Sequence, residues 1–204
     1  MKTQSTLVLA LFAFLTFFVP AAGMAAANDD IARIENYLQN LDTLKADFTQ
    51  IAYDGSRTTG TFYLNRPGKL RFEYDDSDDF IVADGIFIYY YDSEMKQQSN
   101  TTIGNSLADF LLRKNIRLDG DIKVTDMNRK NGYLNATISL REDPAAGSLI
   151  LTLDENPMKL IKWQVIDSQN LTTEIRLDNI ETDIRLARDL FFYIDPVRRG
   201  SSYN

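Results

Sequence analysis

The chain has 204 residues, a formal net charge of −7, 44% hydrophobic residues and neither cysteine nor histidine. Without those two residue types it has no thiol or imidazole nucleophile, no Ser-His-Asp triad, no His-ligated zinc site and no disulfide. The acidic balance argues against nucleic acid and against electrostatic docking on anionic lipid, so any contact with lipid has to be apolar.

The N-terminus reads as a secretory signal. Lys2 supplies the positive charge, residues 7–19 are apolar except for Thr16, Pro20 breaks the run, and Ala25-Ala26-Ala27 fits the small-residue cleavage rule. A run of that length spans roughly 20 Å as a helix, short of the ~30 Å hydrocarbon core, so it is read as a leader and not as an anchor. Cleavage would separate residues 1–27 from one domain, residues 28–204, carrying 21 basic and 29 acidic side chains. That length supports a sizeable core without staples. With no cysteine to acylate, the exported chain is not itself a lipoprotein.

Asp29 or Asp30 is placed to cap a helix in which Ile31, Ile34, Leu38 and Leu41 recur at helical spacing, with Leu44 near its end. Its apolar stripe either packs on a sheet or serves as a lid shared between sheet and ligand. Residues 45–53 then switch to a period of two. Strands over 58–64 and 69–74 flank Pro67-Gly68, and strands over 80–83 and 86–91 flank Asp84-Gly85. Consecutive Tyr89, Tyr90 and Tyr91 put aromatic rings on both faces. Residues 105–112, with Leu107, Phe110, Leu111 and Leu112, predict a short second covering helix. Strands resume over 123–127, 133–140, 148–153, 160–166 and 171–180, with Ile161, Trp163 and Val165 expected on one face. A last strand is expected over 190–194, before a loose polar tail. The pattern is mainly β within an α+β class: a single open, strongly curved antiparallel sheet, an unclosed β-barrel, with helices on one side.

Few residues suggest chemistry. The acidic run 75–79 lacks the glycine and the distal glutamate of an EF-hand loop and reads as a solvated hairpin tip. There is no phosphate-binding glycine loop, and nothing in the sequence brings two carboxylates into one pocket. No metal, cofactor or enzymatic activity is expected. Arg66 stands out among the charged residues, directly before Pro67 at the end of an aromatic strand. It is either a surface cation or a cluster of donors reaching the unpaired carbonyls of a helix end.

Several motifs in order carry a family resemblance. They are residues 44–50 (LKADFTQ), residues 60–74 (GTFYLNRPGKLRFEY), Ala83-Asp84-Gly85 with Tyr91-Asp92, and residues 157–163 (PMKLIKW) with Asp167. Together they resemble LolA, the outer-membrane lipoprotein carrier of Gram-negative bacteria, over nearly all of residues 31–196. The related acceptor LolB is itself a lipoprotein and does not fit a chain without cysteine. The resemblance implies a helical lid over a hydrophobic cavity in a soluble, monomeric periplasmic chaperone. It implies acylated lipoproteins as cargo, the inner-membrane ABC transporter LolCDE as donor, and a LolB-like acceptor where one exists. The family's lid-closing arginine falls on Arg66. Cavity positions, chosen by strand face as well as by resemblance, are Phe48, Phe62, Phe72, Tyr74, Tyr89, Tyr91, Leu111 and Trp163. Asn105-Ser106 stands where the family often has a proline, and Asn170 replaces a usual turn glycine. The competing reading is a periplasmic binding module for another lipid or apolar small molecule.

Overall fold

The computed structural model describes residues 22–106 and 108–196. Lys2, the apolar run 7–19, Pro20, Leu107 and the tail from residue 197 lie outside them.

Eleven strands form one antiparallel sheet. They are β1 (Thr43–Ile51), β2 (Arg57–Asn65), β3 (Lys69–Tyr74), β4 (Phe80–Asp84), β5 (Phe87–Asp92), β6 (Gln97–Thr102), β7 (Ile122–Lys130), β8 (Tyr133–Leu140), β9 (Gly147–Glu155), β10 (Met158–Asp167) and β11 (Thr172–Thr182). Their order is β6-β5-β4-β3-β2-β1-β11-β10-β9-β8-β7, so β6 and β7 are free edges and the barrel is not closed. Helix α1 (Ala22–Gln39) and the single turn α2 (Asp109–Leu112) lie against the inner face.

The strand pattern follows side-chain alternation. On β3, Leu70 and Phe72 are buried inward while Lys69 and Arg71 face out. Gly60 on β2 pairs with Phe48 on β1. A Cβ at Gly60 would meet the Glu73 carbonyl oxygen at 1.9 Å and the Phe48 ring at 2.8 Å, so only glycine lets that ring lie across β2.

Five sequence expectations are corrected. Helix α1 begins upstream of Asp29 and Asp30, so neither caps it; the alanine-rich residues 25–27 extend the helix. Asp30 is instead a buried helix residue accepting from Arg33 at 3.0 Å and Arg129 at 2.8 Å. The polar segment Gln97–Thr102 is an edge strand, unrecognised because an exposed edge needs no apolar alternation. The second helix is shorter than expected, with a 3₁₀ turn (Ile103–Asn105) preceding α2. The expected strand at 190–194 is a 3₁₀ turn (Arg188–Phe191) followed by irregular chain. A bulge between Leu160 and Lys162 breaks the alternation on β10, so Leu160, and not Ile161, joins Trp163 in the core.

Two apolar clusters result. The larger joins the inner face of the sheet to Ile34, Leu38 and Leu41 near the end of α1 and to Phe110 and Leu112 of α2. The smaller joins Phe80, Val82 and Tyr91 to Tyr89 and Tyr193.

A pinned lid over an apolar hollow

Beneath α2 lies an apolar hollow of about 110 Å³. Its walls are Phe62 from β2, Leu70 and Phe72 from β3, Leu149 and Leu151 from β9, and Leu160, Trp163 and Val165 from β10. Ala108, Phe110 and Leu111 roof it. The Phe62 ring sits 4.6 Å from Phe72 and 5.5 Å from Trp163, centroid to centroid. Phe48 packs behind this wall, edge-on to Phe72 at 5.1 Å and to Tyr74 at 5.4 Å. Burial pushes the Tyr74 phenol up to about 12, so it stays neutral, donating to Gln50 Oε1 at 3.3 Å.

The roof is held by polar contacts. Arg66, 9% exposed, donates from Nη1 to the carbonyls of Leu38 and Leu41 and from Nη2 to those of Arg113 and Lys114. The first pair flank the C-terminal end of α1, where the Leu38 carbonyl also accepts from the Leu41 N–H at 3.4 Å, and the second pair follow α2. One guanidinium thus ties both cover pieces to the turn between β2 and β3. Burial lowers the Arg66 pKa and the charge of Asp42 opposes the shift; an arginine remains protonated regardless. In the same turn, Gly68 adopts φ +82 and its N–H donates to the Leu112 carbonyl at 2.8 Å.

Two residues of α1 also hold the segment after α2, and no sequence signal marks them. The Gln39 amide donates to the Lys114 carbonyl at 3.0 Å and accepts from the Ile116 N–H at 2.9 Å. Glu35 Oε1 accepts from the Leu118 N–H at 2.5 Å. Both sit on a polar helix face that looks like any solvated one.

The structure therefore brings Arg66, Phe48, Phe62, Phe72, Tyr74, Leu111 and Trp163 together. It separates Tyr89 and Tyr91 from them. Tyr91 pairs with Phe80 and Tyr89 with Val82, on the face of β4 opposite to Ile81 and Ala83, which pack toward the larger cluster. These two tyrosines are not cavity residues: the pleat points them outward, where Tyr89 stacks on Tyr193 at 4.7 Å. Leu70, Ala108, Phe110, Leu149, Leu151, Leu160 and Val165 line the hollow beyond the positions expected. Leu149 and Leu151 carry a signal in their clean alternation.

An open sheet, an apolar hollow and a cover pinned by hydrogen bonds define a protein built to hold an apolar ligand. Residues 39–193 match the family described as outer membrane lipoprotein carrier protein LolA. The chain belongs to that family. It is similar to the outer-membrane lipoprotein carrier protein of Dechloromonas aromatica, 30% identical with 87% of this chain and 88% of that one covered. It is similar to the carrier protein of the same description from Methylococcus capsulatus, 27% identical with 81% of this chain and 83% of the other covered. Among solved structures, an uncharacterized conserved protein from Thermus thermophilus shares the fold at 10% identity, with a TM-score of 0.50 over 84% of this chain and 96% of that chain.

Proposed function

We propose that this protein is a periplasmic carrier that shelters the acyl chains of lipoproteins and delivers them to the outer membrane. The donor is an inner-membrane ABC transporter of the LolCDE type, and the recipient is a LolB-like acceptor where one exists. It acts as a monomer and performs no covalent chemistry. The observation that carries this reading is the hollow walled by Phe62, Phe72 and Trp163 under a cover pinned by Arg66. Among the described residues no helix is long and apolar enough to cross a membrane.

The energetics ask for such a device. Each buried methylene is worth about 0.8 kcal/mol, so two or three long acyl chains resist transfer to water by roughly 20 to 35 kcal/mol. A carrier has to replace that contact and still let go. The hollow is smaller than the ~150 Å³ cavity that takes one benzene ring, so the cover is closed down on it. Loading has to lift the cover and break the four Arg66 contacts. Hydrogen bonds to a charged group contribute about 1.5–3 kcal/mol each, so restoring them offsets part of the ligand's burial and drives release.

Depleting the protein and fractionating the membranes tests the reading: lipoproteins should be retained in the inner membrane. The small closed hollow also fits a second reading, a small free lipid as ligand. Mass spectrometry of protein isolated from cells separates the two. A co-purifying acylated polypeptide supports carriage, and a small lipid alone overturns it.

A further inference from the structure

A second, wider cavity of about 490 Å³ lies beside the hollow. Its floor includes Ile122 of β7, Ile138 and Leu140 of β8, and Leu149. Its rim is polar: Asp121 and Asp109 clasp Arg113, with Arg113 Nη1 donating to Asp121 at 2.8 and 2.9 Å. Ala146, half-buried, also lines the cavity. Phe110 and Leu149 line both cavities, so they form the partition between them.

The position of this cavity in the fold matters as much as its lining. The chain crosses from one free sheet edge, β6, to the other, β7, through residues 103–121, and the cavity lies between that crossing and β7–β8. At the seam of an unclosed barrel no strand pairing has to break. Passage elsewhere would disrupt backbone ladders, each bond of which leaves a buried donor or acceptor costing about 1–3 kcal/mol if unpaired. At the seam the obstacle is the partition of Phe110, on a single helical turn, and Leu149. At ~30 Å³ per group the size of a water molecule, the cavity holds roughly 16 such groups, the scale of one acyl chain.

Resting on the carrier reading above, we propose that the seam cavity is the docking vestibule for an acyl chain: the chain lies first on Ile138, Leu140 and Leu149, and then passes Phe110 into the hollow. The polar rim stays with the ester-bearing head of the ligand. The vestibule and the Arg66 pin meet at Arg113, whose side chain forms the rim and whose carbonyl Arg66 holds, yet their roles differ: one receives the chain and the other closes over it.

The absence of cysteine makes the test direct. An Ala146→Cys variant carries one thiol at the vestibule rim, which N-phenylmaleimide fills after folding. The probe is a peptide with two dibrominated palmitoyl chains, whose bromines quench Trp163 on contact. The unlabelled variant should load, the labelled one at least tenfold more slowly, and labelled Glu94→Cys, in an exposed turn, at the unlabelled rate. Prior loading with a non-brominated peptide should also protect the thiol at position 146 from the reagent. Equal loading rates with and without the label at 146, with Trp163 still quenched, would overturn the vestibule and leave the carrier reading standing. No quenching in any form would sink that reading and the vestibule with it.

Discussion

The two aromatic clusters on opposite faces of β3–β5 use similar residues for different ends. On the outer face Phe80 stacks on Tyr91 at 5.3 Å, Tyr89 stacks on Tyr193 at 4.7 Å, and the Arg71 guanidinium sits 4.7 Å over Phe80. From the segment after residue 187 the Tyr193 ring packs on that cluster, and Arg71 donates to the Leu190 carbonyl at 3.3 Å. On the inner face the rings stop short of filling the space, and the cover, which buries Ile34, Leu38, Phe110 and Leu112, is also fastened by hydrogen bonds of Arg66, Gln39 and Glu35. Ring stacking and apolar burial are lost only by exposing surface to water. Hydrogen bonds can be exchanged for water at modest net cost. On the carrier reading, a cover that opens to load gains from having part of its hold in the second kind of contact.

Substitutions on the two faces should therefore separate. The largest effect is expected at Arg66. Arg66→Leu removes the four donor contacts of the closed state but adds nothing to the loaded one, so ligand should enter normally and leave at least roughly tenfold more slowly, since even one such bond contributes about 1.5–3 kcal/mol. Release of an acylated peptide to acceptor vesicles measures this, and an unchanged rate would contradict the pin. Next, Leu111→Gln puts a polar amide into the roof of the hollow at a half-buried site. Acyl-peptide affinity should fall about tenfold, for a cost of ~1–3 kcal/mol, with a small change in Tm, by titration and thermal unfolding. Tyr89→Ala on the outer face should do the reverse, lowering stability by about 1–3 kcal/mol while leaving affinity unchanged. A loss of affinity there would erase the distinction between the faces.

The smallest effect concerns the far end of the cover. Arg129 first, then Arg33, hold the Asp30 and Glu155 carboxyls below the usual carboxylate range. Because the folded values lie below the unfolded ones, these pairs stabilise the protein at neutral pH and lose that contribution as pH falls below about 4. Thermal unfolding of Arg129→Ala against pH should show a flatter decline through that window. Arg129 is itself half-exposed, so solvent screening keeps the effect modest.

Most of the sheet was legible because period-two alternation and glycine turns are local signals. The strand at Tyr133–Leu140 and the one at Lys69–Tyr74 match their expected bounds. What escaped depended on partners distant in sequence. The β10 bulge moves Leu160 inward through pairing with β9, which no window around Leu160 reveals. Aromatic density alone puts Tyr89 and Tyr91 in the cavity, since it does not say which face is inside; the register with β4 decides it. Gln39 and Glu35 act on residues 75 to 83 positions away. Arg66 was legible because a lone arginine before a turn proline is unusual enough to ask what it reaches.

The protein carries a single tryptophan, and it lines the hollow. Titration with a peptide bearing brominated acyl chains therefore reports the central claim from within. The account predicts saturable quenching of Trp163 by the brominated ligand, none by its unbrominated twin, and displacement of one by the other. Binding of the brominated peptide with Trp163 left fully fluorescent would place the acyl chains elsewhere and contradict it.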